Sequence, residues 1–109
     1  MKVKDPYTYR ISWSAEDREY VGLCVEFPSL SWLAKTQEAA LAGVRELVKK
    51  VVGDMARSGE QIPEPISTKS YSGKFIVRVP PEVHRQLAME AMEEGVSLNR
   101  LVSAKLAHN

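Results

Sequence analysis

Three residues at alternate positions, Lys74, Ile76 and Arg78, are the first candidates for chemistry in this 109-residue chain. They occupy one side of a predicted strand over residues 74–79, and the other side of that strand is apolar. A single strand cannot satisfy its own backbone N–H and C=O groups, and the nearby sequence contains no second strand. A second copy of the chain would supply one, giving a two-stranded ribbon with one apolar and one basic face. Such a ribbon fits the major groove of DNA.

A second candidate group, Ser97, Leu98 and Asn99, opens the later of two predicted helices. Pro81 suits the first turn of the earlier helix, and Gly95 suits the left-handed position that ends it. Ser97 then reads as the N-cap of the later helix, whose free N-terminus attracts anions. The apolar positions recur at helical spacing. They are Val83, Leu87, Ala88 and Ala91 in the first helix and Leu98, Leu101, Val102 and Leu106 in the second.

Size and charge both favour an oligomer for this region. Residues 73–109 fall below the roughly 40 residues at which a domain usually needs disulfides, a metal or oligomerisation to fold. The chain has one cysteine, Cys24, and two histidines, so neither a disulfide framework nor a zinc site is expected. The residues from Lys69 onward carry a net charge of +2, whereas the whole chain carries +1, so the preceding residues carry −1. This charge is modest for a DNA-binding protein, but a dimer doubles it.

The order strand, helix, turn, helix over residues 74–107 resembles the ribbon–helix–helix family of repressors. The resemblance implies that Lys74, Ile76 and Arg78 read base edges in double-stranded operator DNA. It also implies that backbone N–H groups at 97–99 hold a phosphate. Most members have a polar residue at the position of Ile76, which would instead contact a thymine methyl group or weaken base discrimination. The same hexapeptide also fits an ordinary half-exposed edge strand with solvated charges, so this alternative stays open.

The first part of the chain predicts a separate α+β domain, with a small antiparallel sheet and one long helix. The period-two pattern places Tyr7, Tyr9, Ile11 and Trp13 inward on one strand and Val21, Leu23, Val25 and Phe27 inward on the next. A short third strand is expected around 31–33, followed by a helix over 36–58 with Thr36 as N-cap and Gly59 as its stop. The predicted domains are residues 1–61 and 73–109, joined by a Pro- and Ser-rich linker over 62–72.

Three segments of this first part resemble the HicB antitoxin family: residues 20–30, residues 36–40 and residues 62–65. The loop between the first two departs from the usual pattern at Ser29, at Ser31-Trp32 and at Ala34-Lys35. Several HicB proteins end in a ribbon–helix–helix domain, so the two resemblances agree. They imply an antitoxin of a type II toxin–antitoxin pair. It would bind a HicA-like mRNA-cleaving toxin directly and repress its own operon as a homodimer, or a tetramer.

An orphan transcriptional regulator, whose first domain only mediates oligomerisation or ligand sensing, fits the same residues. If the first domain binds a toxin, Trp32 is a candidate contact residue. A position in the core fits Trp32 equally well. An adjacent reading frame that encodes a small basic protein would favour the antitoxin.

No catalytic residue, metal ligand or cofactor is predicted. His84 and His108 are expected to be solvated or at an interface, and Cys24 lies between Leu23 and Val25 as a small apolar residue. A two-metal nuclease site would need inward carboxylates from adjacent strands, and the first strand contains none. The chain has no apolar run long enough to span a membrane, so a soluble cytoplasmic protein is expected.

Overall fold

The computed structural model describes residues 4–108 of an α+β protein. Its elements, in chain order, are β1 (Tyr9–Ser14), β2 (Glu19–Cys24), β3 (Phe27–Ala34), α1 (Gln37–Ser58), α2 (Pro81–Glu94) and α3 (Leu98–Ala107). The chain divides into two compact units, Met1–Tyr71 and Ser72–Asn109. We call them the N-terminal unit, which contains the sheet and α1, and the C-terminal unit, which contains α2 and α3.

The sheet of the N-terminal unit is antiparallel, in the order β1-β2-β3. A tight turn joins β1 to β2, where the backbone N–H of Arg18 donates to the carbonyl of Ser14 at 2.8 Å. Between β2 and β3 the register shifts, so that Leu23 lies opposite Ser31 and Cys24 lies opposite Phe27. Strand β3, with eight residues, is longer than the short strand predicted around 31–33.

Helix α1 confirms the predicted long helix and both of its ends. The Thr36 hydroxyl accepts a hydrogen bond from the backbone N–H of Ala39 at 3.1 Å, as an N-cap does. At the other end Gly59 adopts φ 72°, the left-handed conformation that glycine reaches without strain. The buried residues of α1 pack on the sheet, and the core of the unit consists of Cys24, Phe27, Ala40, Val44 and Val48.

The predicted inward face of the second strand is wrong for Val21, Leu23 and Val25, whereas Phe27 is buried as predicted but belongs to β3. The buried residues of β2 are instead Gly22 and Cys24, which alternate with the predicted set. Helix α1 approaches Gly22 so closely that a Cβ there would lie 2.6 Å from the Ala40 carbonyl oxygen. The close contact of α1 with Gly22 therefore determines which face of β2 is buried. The apolar pattern could not determine it, because both faces of β2 carry apolar residues.

Strand β1 begins at Tyr9, later than the predicted start at Tyr7, and its inward face is covered only in part. Tyr9 and Ile11 pack on the core, as predicted. Trp13, predicted to be inward as well, is 55% exposed. The reason lies in the position of α1, which contacts β2 at Gly22 and leaves the last row of the sheet, with Trp13, only partly covered.

The segment predicted as a linker, residues 62–72, is attached to the N-terminal unit over its first half. The Tyr7 hydroxyl donates to the carbonyl of Pro63 at 2.8 Å, and the Ser67 hydroxyl donates to the carbonyl of Pro6 at 2.6 Å. The division between the two compact units falls after Tyr71. The part of the segment that lacks such contacts is therefore shorter than the predicted linker over residues 62–72.

In the C-terminal unit both predicted helices are present, and the predicted strand is not formed. Ala91 and Leu101 are buried where α2 meets α3, and most other members of the apolar stripes are half-buried. Val83 and Leu106 are exposed, although the periodicity places them on the inner stripes. Residues 74–79 have no strand partner in the single chain. An unpaired segment cannot complete the backbone hydrogen bonds that define a strand.

Candidate interaction surfaces

The junction between α2 and α3 fixes where the second helix of the C-terminal unit begins. Gly95 adopts φ 71°, and its backbone N–H donates to the carbonyl of Met92 at 3.2 Å. The N–H of Val96 donates to the carbonyl of Ala91 at 3.0 Å. These two bonds are the Schellman arrangement, in which a left-handed glycine satisfies the last carbonyls of a helix. The chain therefore turns sharply into α3.

The start of α3 has the geometry of an anion site, at the residues that the sequence singled out. The Ser97 hydroxyl accepts a hydrogen bond from the backbone N–H of Arg100 at 3.1 Å. The N–H groups of Leu98 and Asn99, in the first turn, have no acceptor within the helix. The first turn contains no acidic residue that would repel an anion. These N–H groups and the helix dipole can therefore hold a phosphate.

The other predicted group lies in an exposed segment of the same unit. A turn at Gly73, with φ 86°, precedes it, and the backbone N–H of Lys74 donates to the Ser72 hydroxyl at 3.0 Å. Ile76 is 93% exposed, and Lys74 and Arg78 are exposed as well. Their role in reading bases stays a prediction, because it depends on a paired ribbon that a single chain does not contain.

The C-terminal unit leaves most of its apolar side chains uncovered. Phe75 is 73% exposed and Val77 is 62% exposed, and both belong to the apolar side of the predicted strand. Further exposed apolar residues of this unit are Val79, Val83, Met89, Met92 and Leu106. Phe75, Val77 and Val79 lie at alternate positions of one short segment, and exposed apolar side chains grouped in this way mark interaction sites more often than single ones do. The surface is thus typical of an interface.

In the N-terminal unit, Glu26 holds three parts of the chain together. Its carboxylate accepts hydrogen bonds from the backbone N–H of Thr8 at 3.0 Å and from the backbone N–H of Ile66 at 2.9 Å. The Thr8 hydroxyl donates to it at 3.1 Å. Burial alone would raise the pKa of Glu26, but hydrogen bonds from the backbone N–H groups of Ile66, Thr8 and Glu26 itself and from the Thr8 hydroxyl together outweigh that effect and lower it. Glu26 is therefore a charged structural anchor, which the sequence pattern did not reveal.

A second polar cluster borders a groove between residues 4–7 and α1. The Tyr9 hydroxyl donates to the Asp5 carboxylate at 2.7 Å, and Arg45 Nε lies 3.2 Å from the same carboxylate. Burial, and next the hydrogen bond to Asp5, raise the pKa of Tyr9 above its usual value. The groove encloses about 490 Å³ and is lined by residues of both charge signs. Its cluster ties the start of the chain to α1.

The cysteine of the chain lies in the N-terminal unit, and its two histidines lie in the C-terminal unit. Cys24 is buried, and burial raises the pKa of its thiol, which disfavours the reactive thiolate. His84 and His108 are exposed and lie on α2 and just after α3. Among residues 4–108, no three His, Cys, Asp or Glu side chains are grouped so that they could hold a metal ion. Over the same residues, no helix is long and apolar enough to cross a membrane.

Trp32, the candidate protein contact, has a mixed environment. Its indole lies against Gly43 of α1, where no larger residue fits without moving the ring. It is nevertheless 46% exposed. Trp32 therefore contributes to the packing of α1 on β3 and also presents aromatic surface to solvent.

The model of the HicB family matches residues 57–106. The match covers just under half of the chain and includes the segment 62–65, the exposed segment 74–79 and both helices of the C-terminal unit. No curated protein and no solved structure matches the chain significantly.

Proposed function

We propose that the chain is the antitoxin of a type II toxin–antitoxin pair. It neutralises a HicA-like mRNA-cleaving toxin by direct binding and represses its own operon through a dimeric ribbon–helix–helix. The observation that carries the proposal is the HicB family match over residues 57–106, together with the uncovered apolar side of residues 74–79 inside that match.

DNA binding follows from completing that segment with a second copy of the chain. Paired antiparallel, two such segments satisfy each other's backbone groups and turn Phe75, Val77 and Val79 toward the helices of both copies. Lys74, Ile76 and Arg78 then point away from the helices, into the major groove. Phosphates on either side meet the N-termini of the two α3 helices at 97–99. Arg78 is the base contact of greatest expected strength, because its guanidinium can donate two hydrogen bonds to one guanine.

The N-terminal unit, which has a closed core of its own, binds the toxin. Such a unit can cover the RNA-binding surface of a toxin while the C-terminal unit occupies the operator. Binding of both partners by one chain links repression to the amount of free toxin.

Fluorescence anisotropy with the DNA upstream of the gene tests the DNA-binding half. Wild type is expected to bind with an affinity that falls steeply as salt rises, because binding releases counterions from phosphates. Arg78→Ala should weaken binding by about 1–3 kcal/mol, the range for a good bidentate base contact. The control is Arg10→Ala, which removes the same charge from an exposed position of β1 in the other unit.

An equal loss in both variants would show that only net charge matters and would remove Arg78 as a base contact. No binding by a folded, dimeric wild type would overturn the repressor function. The C-terminal unit would then serve oligomerisation alone.

A further inference from the structure

Three aromatic side chains lie on the same face of the sheet, toward its end beside the β1–β2 turn. Trp13 lies opposite Tyr20 in the β1–β2 pairing, and their rings meet edge to face with centroids 5.1 Å apart. Trp32, opposite Gly22 on β3, is the diagonal neighbour of Tyr20 on the same face of the sheet. We call Trp13, Tyr20 and Trp32 the aromatic surface. It includes both tryptophans of the chain.

Because α1 covers this end of the sheet only in part, both tryptophan rings remain partly in water. Trp13 and Trp32 are 55% and 46% exposed, although the core of the same unit closes around smaller side chains. Large aromatic residues that remain half in water are typical of the anchors that carry most of the energy of a protein interface. They are also typical of platforms on which nucleic acid bases stack.

The charge beside the aromatic surface decides between these two uses. The turn contains Glu16, Asp17 and Arg18, all exposed, so its net charge is −1. Glu19 and Lys35 balance each other, with 3.9 Å between Nζ and the carboxylate. The rim is therefore acidic. It repels a polyanion such as RNA or DNA and attracts a positively charged protein.

We propose that the aromatic surface, with its acidic rim, is the docking site for the toxin. This inference rests on the proposed antitoxin function and names the surface of the N-terminal unit that performs it. A protein that binds and cleaves mRNA needs a positively charged surface for the phosphate backbone. The acidic rim draws that surface in, and the aromatic side chains bury apolar area at its centre. The bound toxin loses access to RNA because the same positive surface faces the antitoxin.

Intrinsic fluorescence reports on this surface directly, because the chain has only two tryptophans and both belong to it. The probe is the small basic protein encoded beside the gene, purified in an inactive form. Binding should shift the tryptophan emission to shorter wavelength and protect it from acrylamide quenching, after subtraction of any emission from the probe. In Trp13→Ala the affinity should fall about tenfold or more, as for an interface anchor.

The matched control is Leu33→Ala, which truncates a half-exposed apolar residue on the opposite face of the sheet. Its affinity for the probe should change less than about threefold, as for a residue outside an interface centre. Two charge-reversal variants test the acidic rim without changing the packed side chains. Glu16→Lys should weaken binding and slow association at low salt, whereas Glu60→Lys, beyond the far end of the 22-residue α1, should not.

The outcomes separate the two proposals. If wild type does not bind the probe, the antitoxin function itself fails, and the docking site fails with it. If wild type binds and Trp13→Ala binds as tightly while Leu33→Ala does not, the toxin docks on the other face of the sheet. The antitoxin function then stands, and the docking site proposed here is overturned. Preferential binding of single-stranded RNA to the aromatic surface would also overturn it.

Discussion

The two units of this chain differ in how completely each one buries its own apolar residues. In the described residues of the N-terminal unit, Cys24, Phe27 and three residues of α1 form a closed core. In those of the C-terminal unit only Ala91 and Leu101 are buried, while the apolar side of residues 74–79 lies in water. The first unit thus forms its core within one chain, whereas the second leaves most of its large apolar side chains exposed.

Because of this difference, the two proposed activities should depend on protein concentration in different ways. A closed core holds its fold at any protein concentration, so the surface that it presents to a protein partner is permanent. A unit completed by a second copy folds only as far as the dimer forms, so its stability follows mass action. DNA binding is then sensitive to the concentration of the antitoxin, whereas docking on the N-terminal unit is not.

The largest effect is expected from a charge placed on the uncovered apolar side. Val77→Asp should weaken dimerisation by about 4 kcal/mol, roughly a thousandfold, because each of two copies loses a buried apolar side chain and gains a carboxylate. Sedimentation across a concentration series measures this change. Tryptophan emission should stay as in wild type, because both tryptophans lie in the N-terminal unit.

The control for this prediction is the neighbouring residue. Ile76→Asp places the same charge on the side of the segment that faces DNA in the proposed dimer, so it should leave dimerisation intact and abolish DNA binding. If Ile76→Asp dissociates the dimer and Val77→Asp does not, the two sides of the segment are exchanged. The base-reading residues would then be the wrong set.

The sequence predicted the helices better than the strands, and the reason is local. The ends of α1, α2 and α3 depend on neighbours along the chain, such as Thr36, Gly59 and Gly95, so their types reveal them. The inward face of β2 depends on where α1 touches the sheet, and the contact at Gly22 joins residues far apart in sequence. Alternation could not decide it, because apolar residues occupy both faces.

The candidate sites divide in the same way. The start of α3 was predicted from Ser97, because an N-cap is a local feature. The anchor at Glu26 was missed, since its partners, Thr8 and Ile66, come from distant segments. The aromatic surface was missed apart from Trp32, because the exposure of Trp13 depends on how far α1 extends over the sheet. Residues 74–79 pair only in a dimer, so one sequence and one chain leave their role a prediction.

A smaller effect is expected from a cavity in the closed core. Val44→Ala should lower the free energy of unfolding of the N-terminal unit by about 2 kcal/mol, because the fully buried side chain leaves a void that the sheet and helix fill only in part. Urea denaturation followed by tryptophan emission measures it. The control, Val25→Ala, removes the same atoms from a half-exposed position and should cost less than about 1 kcal/mol.

Val44→Ala should leave the dimerisation affinity as in wild type, since Val44 belongs to the N-terminal unit, which needs no second copy. A tenfold loss of dimerisation in Val44→Ala would contradict the independence of the two units. The two units would then differ in burial and yet be coupled in stability.

The smallest effect concerns the anchor that sets where the N-terminal unit ends. Glu26→Gln keeps one carbonyl oxygen, so it cannot accept from the backbone N–H groups of Thr8 and Ile66 through two separate oxygens, as the carboxylate does. We expect a loss of about 1 kcal/mol at pH 7, because hydrogen bonds to a charged acceptor are stronger than those to a neutral one. Hydrogen exchange should become faster at the Ile66 amide.

The pH dependence of this effect follows from the lowered pKa of Glu26. A carboxyl group with a lower pKa in the folded state stabilises the fold above its unfolded pKa of about 4.3, and this stabilisation is lost as the pH falls through the folded pKa. The difference between wild type and Glu26→Gln should therefore be largest near neutral pH and disappear in acid. Glu64→Gln, an exposed neutralisation in the attached segment, should match wild type throughout. If Glu26→Gln also matches wild type at neutral pH, the carboxylate does not hold residues 62–68, and the hydrogen bonds from the Tyr7 and Ser67 hydroxyls account for the attachment of this segment.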